Sequence, residues 1–162
     1  MEGGTWGVDK PYAPDGLYGA VTVRTGQRAK AGYFLRGETH AQVSQFGGSH
    51  GESVMELTSR FIPQALYLMD EPESGLSAVS QMALLSQLHT LAASGAQVIA
   101  VTHSPILLGI PGADIIEISE ESVSRGVSVE DTTAFRAMRD FLADPRGVAE
   151  HMANWADMWI TR

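Results

Sequence analysis

Short apolar segments recur along the chain, and their pattern predicts a β-sheet with helices on its faces. Two continuous apolar runs, residues 65–69 (ALYLM) and Gln97–Val101 (QVIAV), have the length and composition of buried parallel strands. Gly32–Arg36 (GYFLR) predicts another short strand. Residues 17–25 (LYGAVTVRT) alternate apolar and polar positions, which predicts a further strand.

The segment between the two apolar runs predicts a helix over residues 77–94. Ser77 suits its N-cap and Gly95 its end, because a short hydroxyl side chain bonds the first free N–H groups and glycine accepts the conformation that stops a helix. The apolar residues at helical spacing are Met82, Leu85, Leu88 and Ala92. Strand, helix and strand then form a βαβ unit.

The remaining segments predict shorter elements around this unit. They are a helix over 52–61, a helical turn at 104–108, strands at 114–118 and 127–129, and terminal helices at 132–142 and 147–159. Residues 1–16 are rich in turn-forming residues, which is typical of an irregular lead-in. The sequence therefore predicts one α/β domain over residues 17–162 with a mostly parallel sheet.

Composition and charge narrow the class of protein. The 162 residues are 44% hydrophobic and 19% charged, as in ordinary globular domains, and the absence of cysteine excludes disulfides and thiolate metal sites. No apolar run reaches the roughly 18 residues of a membrane span, and no export signal is visible, so we expect a cytoplasmic protein. The net charge of -8, with only two lysines, argues against a broad nucleic-acid-binding face.

Two carboxylates, Asp70 and Glu71, follow the first of the two apolar runs in the segment LYLMDEP. They are expected at the carboxyl edge of a central strand, where open α/β sheets bind ligands. Side chains alternate along a strand, so one carboxylate can hold Mg²⁺ through its water shell while the next polarises a water for attack on a terminal phosphate. Taken alone, such a pair is equally typical of a helix cap or an exposed turn.

A histidine near the end of the neighbouring strand favours the catalytic interpretation. His103 follows the run Gln97–Val101 within the segment THSP. A lone histidine is more often a structural side chain, but the βαβ unit is expected to bring the two strand ends together, where His103 can reach the same phosphate. Upstream, SHGES at residues 49–53 precedes a predicted helix start, whose free N–H groups suit an anion. By itself, this loop is more typical of a flexible segment with Ser49 as a helix cap.

Together these motifs resemble the nucleotide-binding domains of ABC-type ATPases, from the middle of the domain onward. LYLMDEP resembles the Walker B strand, residues 74–77 the D-loop, His103 the switch histidine and SHGES the signature motif. More closely, the chain is similar to a bacterial family of small, soluble predicted ATPases of the AAA or ABC-like type, with GSHGES, DEPE, THSP and a tail like VEDTTAFRAMRDFLADP. The resemblance covers about residues 32–152 and implies a P-loop NTPase-like fold that uses ATP and Mg²⁺.

The resemblance implies a role for each matching residue. Asp70 would orient the Mg²⁺ water shell, Glu71 would be the general base, and His103 would contact the γ-phosphate and hold the attacking water. The cofactor-binding residues that it implies are Ser49, Gly51, Glu52, Ser74 and Ser77. Of these, Ser49 and Gly51 would bind the γ-phosphate of a nucleotide held on a partner subunit, and the D-loop would communicate across that dimer interface.

Two positions depart from the common transporter motifs. His50 replaces a glycine of the signature, and Ser77 replaces the aspartate that often ends the D-loop. Both residues are usual in the closer family.

The phosphate-binding loop of such a site, G-x-x-x-x-G-K-[ST], does not occur in the sequence. We therefore expect an incomplete domain, the C-terminal part of an ABC-type ATPase, that is inactive alone. It could be a fragment of a longer ATPase, one half of a split enzyme or a divergent stand-alone domain. The leading hypothesis is an ATP-hydrolysing component that works as a homodimer or with a missing half that carries this loop.

Two other functions compete with it. One is a non-enzymatic interaction domain that pairs with an intact ATPase through the signature and D-loop surface. The other is a metal-dependent phosphoesterase that uses Asp70, Glu71 and His103, which lacks the additional carboxylates and histidines of two-metal sites.

Overall fold

A computed structural model describes residues 29–36 and 61–160. The predicted strand at 17–25 and the SHGES segment with Ser49, Gly51 and Glu52 lie outside these ranges, as does all but the last residue of the predicted helix at 52–61. The chain divides into two units, Met1–Thr102 and His103–Arg162, and each is described separately.

Three parallel strands form the sheet of the first unit, in the order β1-β2-β3. The strands are β1 (Gly32–Arg36), β2 (Leu66–Asp70) and β3 (Gln97–Val101). Their predicted positions are confirmed, with β2 one residue later than expected, so that Asp70 is its last residue. Arg36 pairs in register with Asp70, and Asp70 with Val101, so all three strands end level at one edge.

Helix α1 (Ala78–Ala93) connects β2 to β3 and completes the predicted βαβ unit. Ser77 is its N-cap, because the Ser77 hydroxyl accepts a 3.1 Å hydrogen bond from the Ser80 N–H. Beyond its end, Gly95 adopts a φ of 92°, in the left-handed region that glycine favours, and its N–H bonds the Ala92 carbonyl.

The buried residues of α1 overlap with the predicted apolar set only at Leu88. Leu84, Leu88 and Leu91 are buried, whereas Met82 is 58% exposed and Ala92 is also exposed. Both sets have helical spacing, so the period alone does not identify the face that packs against the sheet. The larger leucine side chains bury more apolar area, and they take the inner positions.

An aromatic cluster lies on one face of the sheet, around β2. The Tyr67 ring stacks on Tyr33 of β1 at a centroid distance of 5.2 Å and contacts Phe61 at 4.2 Å. The buried Tyr67 hydroxyl accepts a hydrogen bond from the Ile62 N–H and donates one to the Ile62 carbonyl, at 2.7 and 3.0 Å. These bonds tie the segment before β2 to the middle of that strand.

The expectation that β3 is buried is wrong for most of the strand. Ile99 is 51% exposed and Val101 60% exposed, whereas Tyr67 and Met69 of β2 are buried. The difference follows from position in the sheet, because β2 has a neighbour on both sides and β3 pairs only with β2 among the described residues.

The second unit begins with a short capped helix and an antiparallel hairpin. Helix α2 (Pro105–Leu108) has Ser104 as its N-cap, as the predicted helical turn requires. Strand β4 (Ile116–Ile118) lies within the predicted range and pairs with β5 (Val123–Arg125). Arg125 donates two hydrogen bonds to the Asp114 carboxylate, at 2.6 and 2.8 Å.

The prediction of a strand at residues 127–129 is wrong. The Ser119 N–H bonds the Ser122 carbonyl in a tight turn, so the second strand of the hairpin begins directly after it, at Val123. Val129–Asp131 instead forms a 3₁₀ turn. The mostly parallel description therefore applies to the first unit, while the second contributes an antiparallel pair.

Two terminal helices follow, as predicted. Helix α3 (Thr133–Ala143) starts at the N-cap Thr132, whose buried hydroxyl accepts a hydrogen bond from the Phe135 N–H. Helix α4 (Pro145–Ile160) begins two residues earlier than expected. Among the described residues, no helix combines the length and apolar character needed to cross a membrane.

Candidate functional site

Asp70 and Glu71 lie where the central strand of the parallel sheet ends. Asp70 is the last residue of β2, and the next residue, Glu71, leaves the sheet while its N–H still donates a 2.9 Å hydrogen bond to the Val101 carbonyl. Both side chains are half-buried. Ligands of open α/β sheets bind at this carboxyl edge, so the predicted pair stands where it can reach one.

The backbone of Glu71 has a conformation that its residue type disfavours. Its φ is 46°, in the left-handed region, and the following Pro72 is fully buried. A non-glycine residue pays roughly 1–2 kcal/mol for this conformation. Such strain persists only where the surroundings impose it, and it is concentrated at functional sites.

The loop between β2 and α1 holds the Glu71 side chain. The Ser74 hydroxyl donates a 3.2 Å hydrogen bond to Glu71 Oε2, and the Ser74 N–H bonds the Glu71 carbonyl at 3.0 Å. Gly75 adopts a φ of 76°, and the buried Leu76 anchors the loop beside the Ser77 cap. The segment from Glu71 to Ser77 is therefore a built turn that couples the carboxylate to the start of a helix.

Asp70 lies beside a basic side chain, Arg36, that belongs to none of the sequence motifs. The Arg36 Nε atom is 3.6 Å from Asp70 Oδ2, and the two side chains are 54% and 42% exposed. The Arg36 guanidinium also lies 6.0 Å from the centroid of the Phe34 ring. No motif indicates this pair, because it depends on the parallel register that places the last residues of β1 and β2 side by side, and the predicted second strand ended one residue before Asp70.

Asp70 fits a magnesium ion that is held jointly with phosphate. Within the described ranges, no group of three or more histidine, cysteine or acidic side chains could hold a metal ion independently. Mg²⁺ in nucleotide sites takes one or two carboxylates and obtains its remaining ligands from water and phosphate oxygens. A single half-exposed carboxylate at a ligand-binding edge matches that need.

His103 is the first residue of the second unit and is exposed. It directly precedes the buried Ser104, whose hydroxyl accepts hydrogen bonds from the Ile106 and Leu107 N–H groups at 3.1 and 3.2 Å. The segment THSP is thus a helix-capping turn soon after β3. The approach of His103 to Asp70 and Glu71 stays a prediction.

One family model matches residues 57–109, about a third of the chain, and its description is "AAA domain, putative AbiEii toxin, Type IV TA system". This match supports an AAA-like ATPase domain. The matched residues include β2, the loop with Ser74 and Ser77, α1, β3 and His103. No curated protein and no solved structure matched the chain. An AAA-like domain with carboxylates at the sheet edge indicates a nucleotide-binding, ATPase-like function.

Proposed function

We propose that this chain supplies the metal-binding and water-activating half of an ABC-type ATP-hydrolysing site. The observation that carries the proposal is the pair Asp70 and Glu71 at the carboxyl edge of the central parallel strand, inside the segment that matches an AAA domain. ATP and Mg²⁺ are the proposed cofactors.

Asp70 holds the metal side of the site. Its carboxylate ends β2 and is half-exposed, so it can accept hydrogen bonds from water molecules bound to a metal ion. When bound, Mg²⁺ neutralises charge on the phosphate oxygens and orients the terminal phosphate for displacement.

Glu71 acts as the general base. The Ser74 hydroxyl donates a hydrogen bond to its carboxylate, and the bond from its own N–H to the Val101 carbonyl holds its backbone. A positioned carboxylate can accept a proton from a water molecule as that water attacks phosphorus. His103 is proposed to contact the γ-phosphate and hold the same water.

The phosphate cradle comes from outside these 162 residues. We propose that a polypeptide with the phosphate-binding loop completes the fold, and that two complete domains form a dimeric site. Ser49, Gly51 and Glu52 then bind the nucleotide held on the partner, and the loop with Ser74 and Ser77 lies at the dimer interface.

Reconstitution tests this proposal. The chain alone is expected to release negligible phosphate from ATP. We would add the N-terminal half of a family member that carries the loop and ends before the strand corresponding to β1. In that complex, Glu71→Gln should lower kcat at least about 100-fold without weakening ATP binding, because it removes the base and keeps the side-chain shape.

Glu73→Gln is the matched control, because it makes the same change two residues further along the same loop. Equal loss in both variants would contradict the specific role of Glu71. Robust, Glu71-dependent hydrolysis by the chain alone would contradict the need for an external phosphate-binding loop.

A further inference from the structure

We propose that Arg36 is a phosphate-binding residue of this site, and that it leaves Asp70 for the phosphate chain when nucleotide binds. The inference rests on the proposed function, since it adds a residue to the same sheet edge. Neither the motifs nor the family resemblance assigned Arg36 a role.

The position of Arg36 is fixed by the strand that carries it. Arg36 is the last residue of β1 and lies directly opposite Asp70 in the parallel register. The Arg36 Nε atom lies 3.6 Å from Asp70 Oδ2, and the guanidinium lies 6.0 Å from the centroid of the Phe34 ring. An aromatic ring beside arginine helps to orient its planar fork of N–H donors.

The negative charge at this edge would repel phosphate unless a basic side chain offset it. Asp70 and Glu71 both bring negative charge to the place where a triphosphate must bind. In residues 29–36 and 61–102, the described part of the first unit, Arg36 is the only lysine or arginine at the carboxyl edge of the sheet. Lys30, the other basic residue of this group, precedes β1 at the opposite end, where its N–H bonds the Gln64 carbonyl.

The Arg36–Asp70 ion pair is weak enough for Arg36 to exchange Asp70 for phosphate. Both side chains are about half-exposed and their closest charged atoms are 3.6 Å apart, so the pair contributes little to stability. Guanidinium forms stronger, two-pronged bonds with phosphate. A metal ion that recruits Asp70 would remove the competitor at the same moment. The pair therefore keeps both charges compensated before nucleotide arrives.

A metal-free titration separates this role from metal binding. The ¹⁵N-labelled full chain would be titrated with inorganic tripolyphosphate in EDTA, and the dissociation constant and the Arg36 Nε–H resonance followed by NMR. Arg36→Gln should weaken binding about tenfold, and Arg36→Lys about threefold, because lysine keeps the charge and loses the fork. Arg125→Gln, which breaks another exposed arginine–aspartate pair, should stay within about twofold.

The direction in which Asp70→Asn changes tripolyphosphate affinity is the decisive observation. It should tighten metal-free tripolyphosphate binding at least about threefold, because the competitor for Arg36 is gone, and the double variant with Arg36→Gln should lose that gain. An Arg36→Gln variant that binds like Arg125→Gln would overturn the proposal. So would tripolyphosphate that never saturates the wild type or leaves the Arg36 resonance unmoved.

A different result would contradict the proposed function. It requires that Mg²⁺ strengthen ATP binding through Asp70, which the metal-free titration does not measure. Mg²⁺-dependent ATP binding together with an inert Arg36 would refute only the inference about Arg36. The reverse outcome would refute only the metal-binding role of Asp70.

Discussion

The Ser74 hydroxyl donates a 3.2 Å hydrogen bond to Glu71 Oε2, three residues back along the chain. This contact links the carboxylate after the central strand to the loop that begins α1. The helix N-cap, Ser77, is only three residues beyond Ser74, so a short path of the chain joins the helix start to the proposed base. The loop thus connects the surface proposed to face a dimer partner with the proposed base.

Replacing Glu71 by glycine and by alanine separates backbone strain from the loss of the carboxylate. Both changes remove the bond from Ser74. Only glycine tolerates the φ of 46° at this position, so Glu71→Gly should be more stable than Glu71→Ala by about 0.5–1 kcal/mol. Urea unfolding followed by circular dichroism measures the difference. If alanine proves equal or better, the left-handed conformation of Glu71 is not a real constraint.

The sequence predicted the strands well and the special backbone of the site poorly. Apolar runs between prolines and glycines specify β1, β2 and β3 because buried parallel strands leave that pattern directly. The left-handed Glu71 has no such signature, since glutamate rarely adopts it and only the buried Pro72 and the bond to Val101 impose it. Similarly, the Arg36–Asp70 pair depends on strand register, which the sequence does not state.

Helix α1 offers a test of which apolar residues pack against the sheet. Leu84 is fully buried, so Leu84→Ala should cost about 2–5 kcal/mol through lost burial and the cavity left behind. Met82 is 58% exposed, and Met82→Ala should cost no more than about 0.5 kcal/mol. Equal free energies of unfolding for the two variants would show that Leu84 is not the more buried of the two residues.

Burial of Tyr67 should make stability depend on alkaline pH. Burial raises the pKa of Tyr67 above its ordinary value of 10.0, although the hydrogen bond with the Ile62 backbone opposes the rise. The unfolded chain therefore ionises Tyr67 first, and stability present below pH 10 should fall as the pH rises toward the folded pKa.

Tyr67→Phe should remove this part of the decline as the pH rises above about 10, and cost about 1 kcal/mol at neutral pH through the lost bonds to Ile62. Tyr33→Phe, in the stacked neighbour, should keep most of the decline, because burial raises the pKa of Tyr67 more than the charge of Tyr33 does. Parallel loss of stability in Tyr67→Phe and the wild type over this range would contradict the role of Tyr67.

The start of α3 allows a matched test in the second unit. The buried Thr132 hydroxyl accepts from the Phe135 N–H and donates to the Val129 carbonyl at 2.7 Å, so Thr132→Ala should cost about 1–2 kcal/mol. The adjacent Thr133 is exposed, and both its backbone N–H and its side chain hydrogen-bond the Glu117 carboxylate. Alanine retains the backbone bond and loses only the exposed side-chain bond, so Thr133→Ala should change the free energy of unfolding by less than about 1 kcal/mol. Comparable losses would mean that Thr132 does not cap this helix.

The sequence marks Asp70 and Glu71 as a pair but does not distinguish their surroundings. LYLMDEP marks both carboxylates, but a strand followed by acidic residues is also a common turn. The structure adds two distinct settings, a carboxylate beside Arg36 at the sheet edge and one held by Ser74 in the loop. Their proposed roles differ accordingly, and one experiment can separate them.

The most direct measurement is the dissociation constant of ATP for the complex of this chain with the half that carries the phosphate-binding loop, with Mg²⁺ and with EDTA. We expect Mg²⁺ to tighten binding at least about fivefold in the wild type and in Glu71→Gln, and Asp70→Asn to abolish this gain. An equal dissociation constant with and without Mg²⁺ in the wild-type complex, or a gain that survives in Asp70→Asn, would contradict the metal-binding role of Asp70.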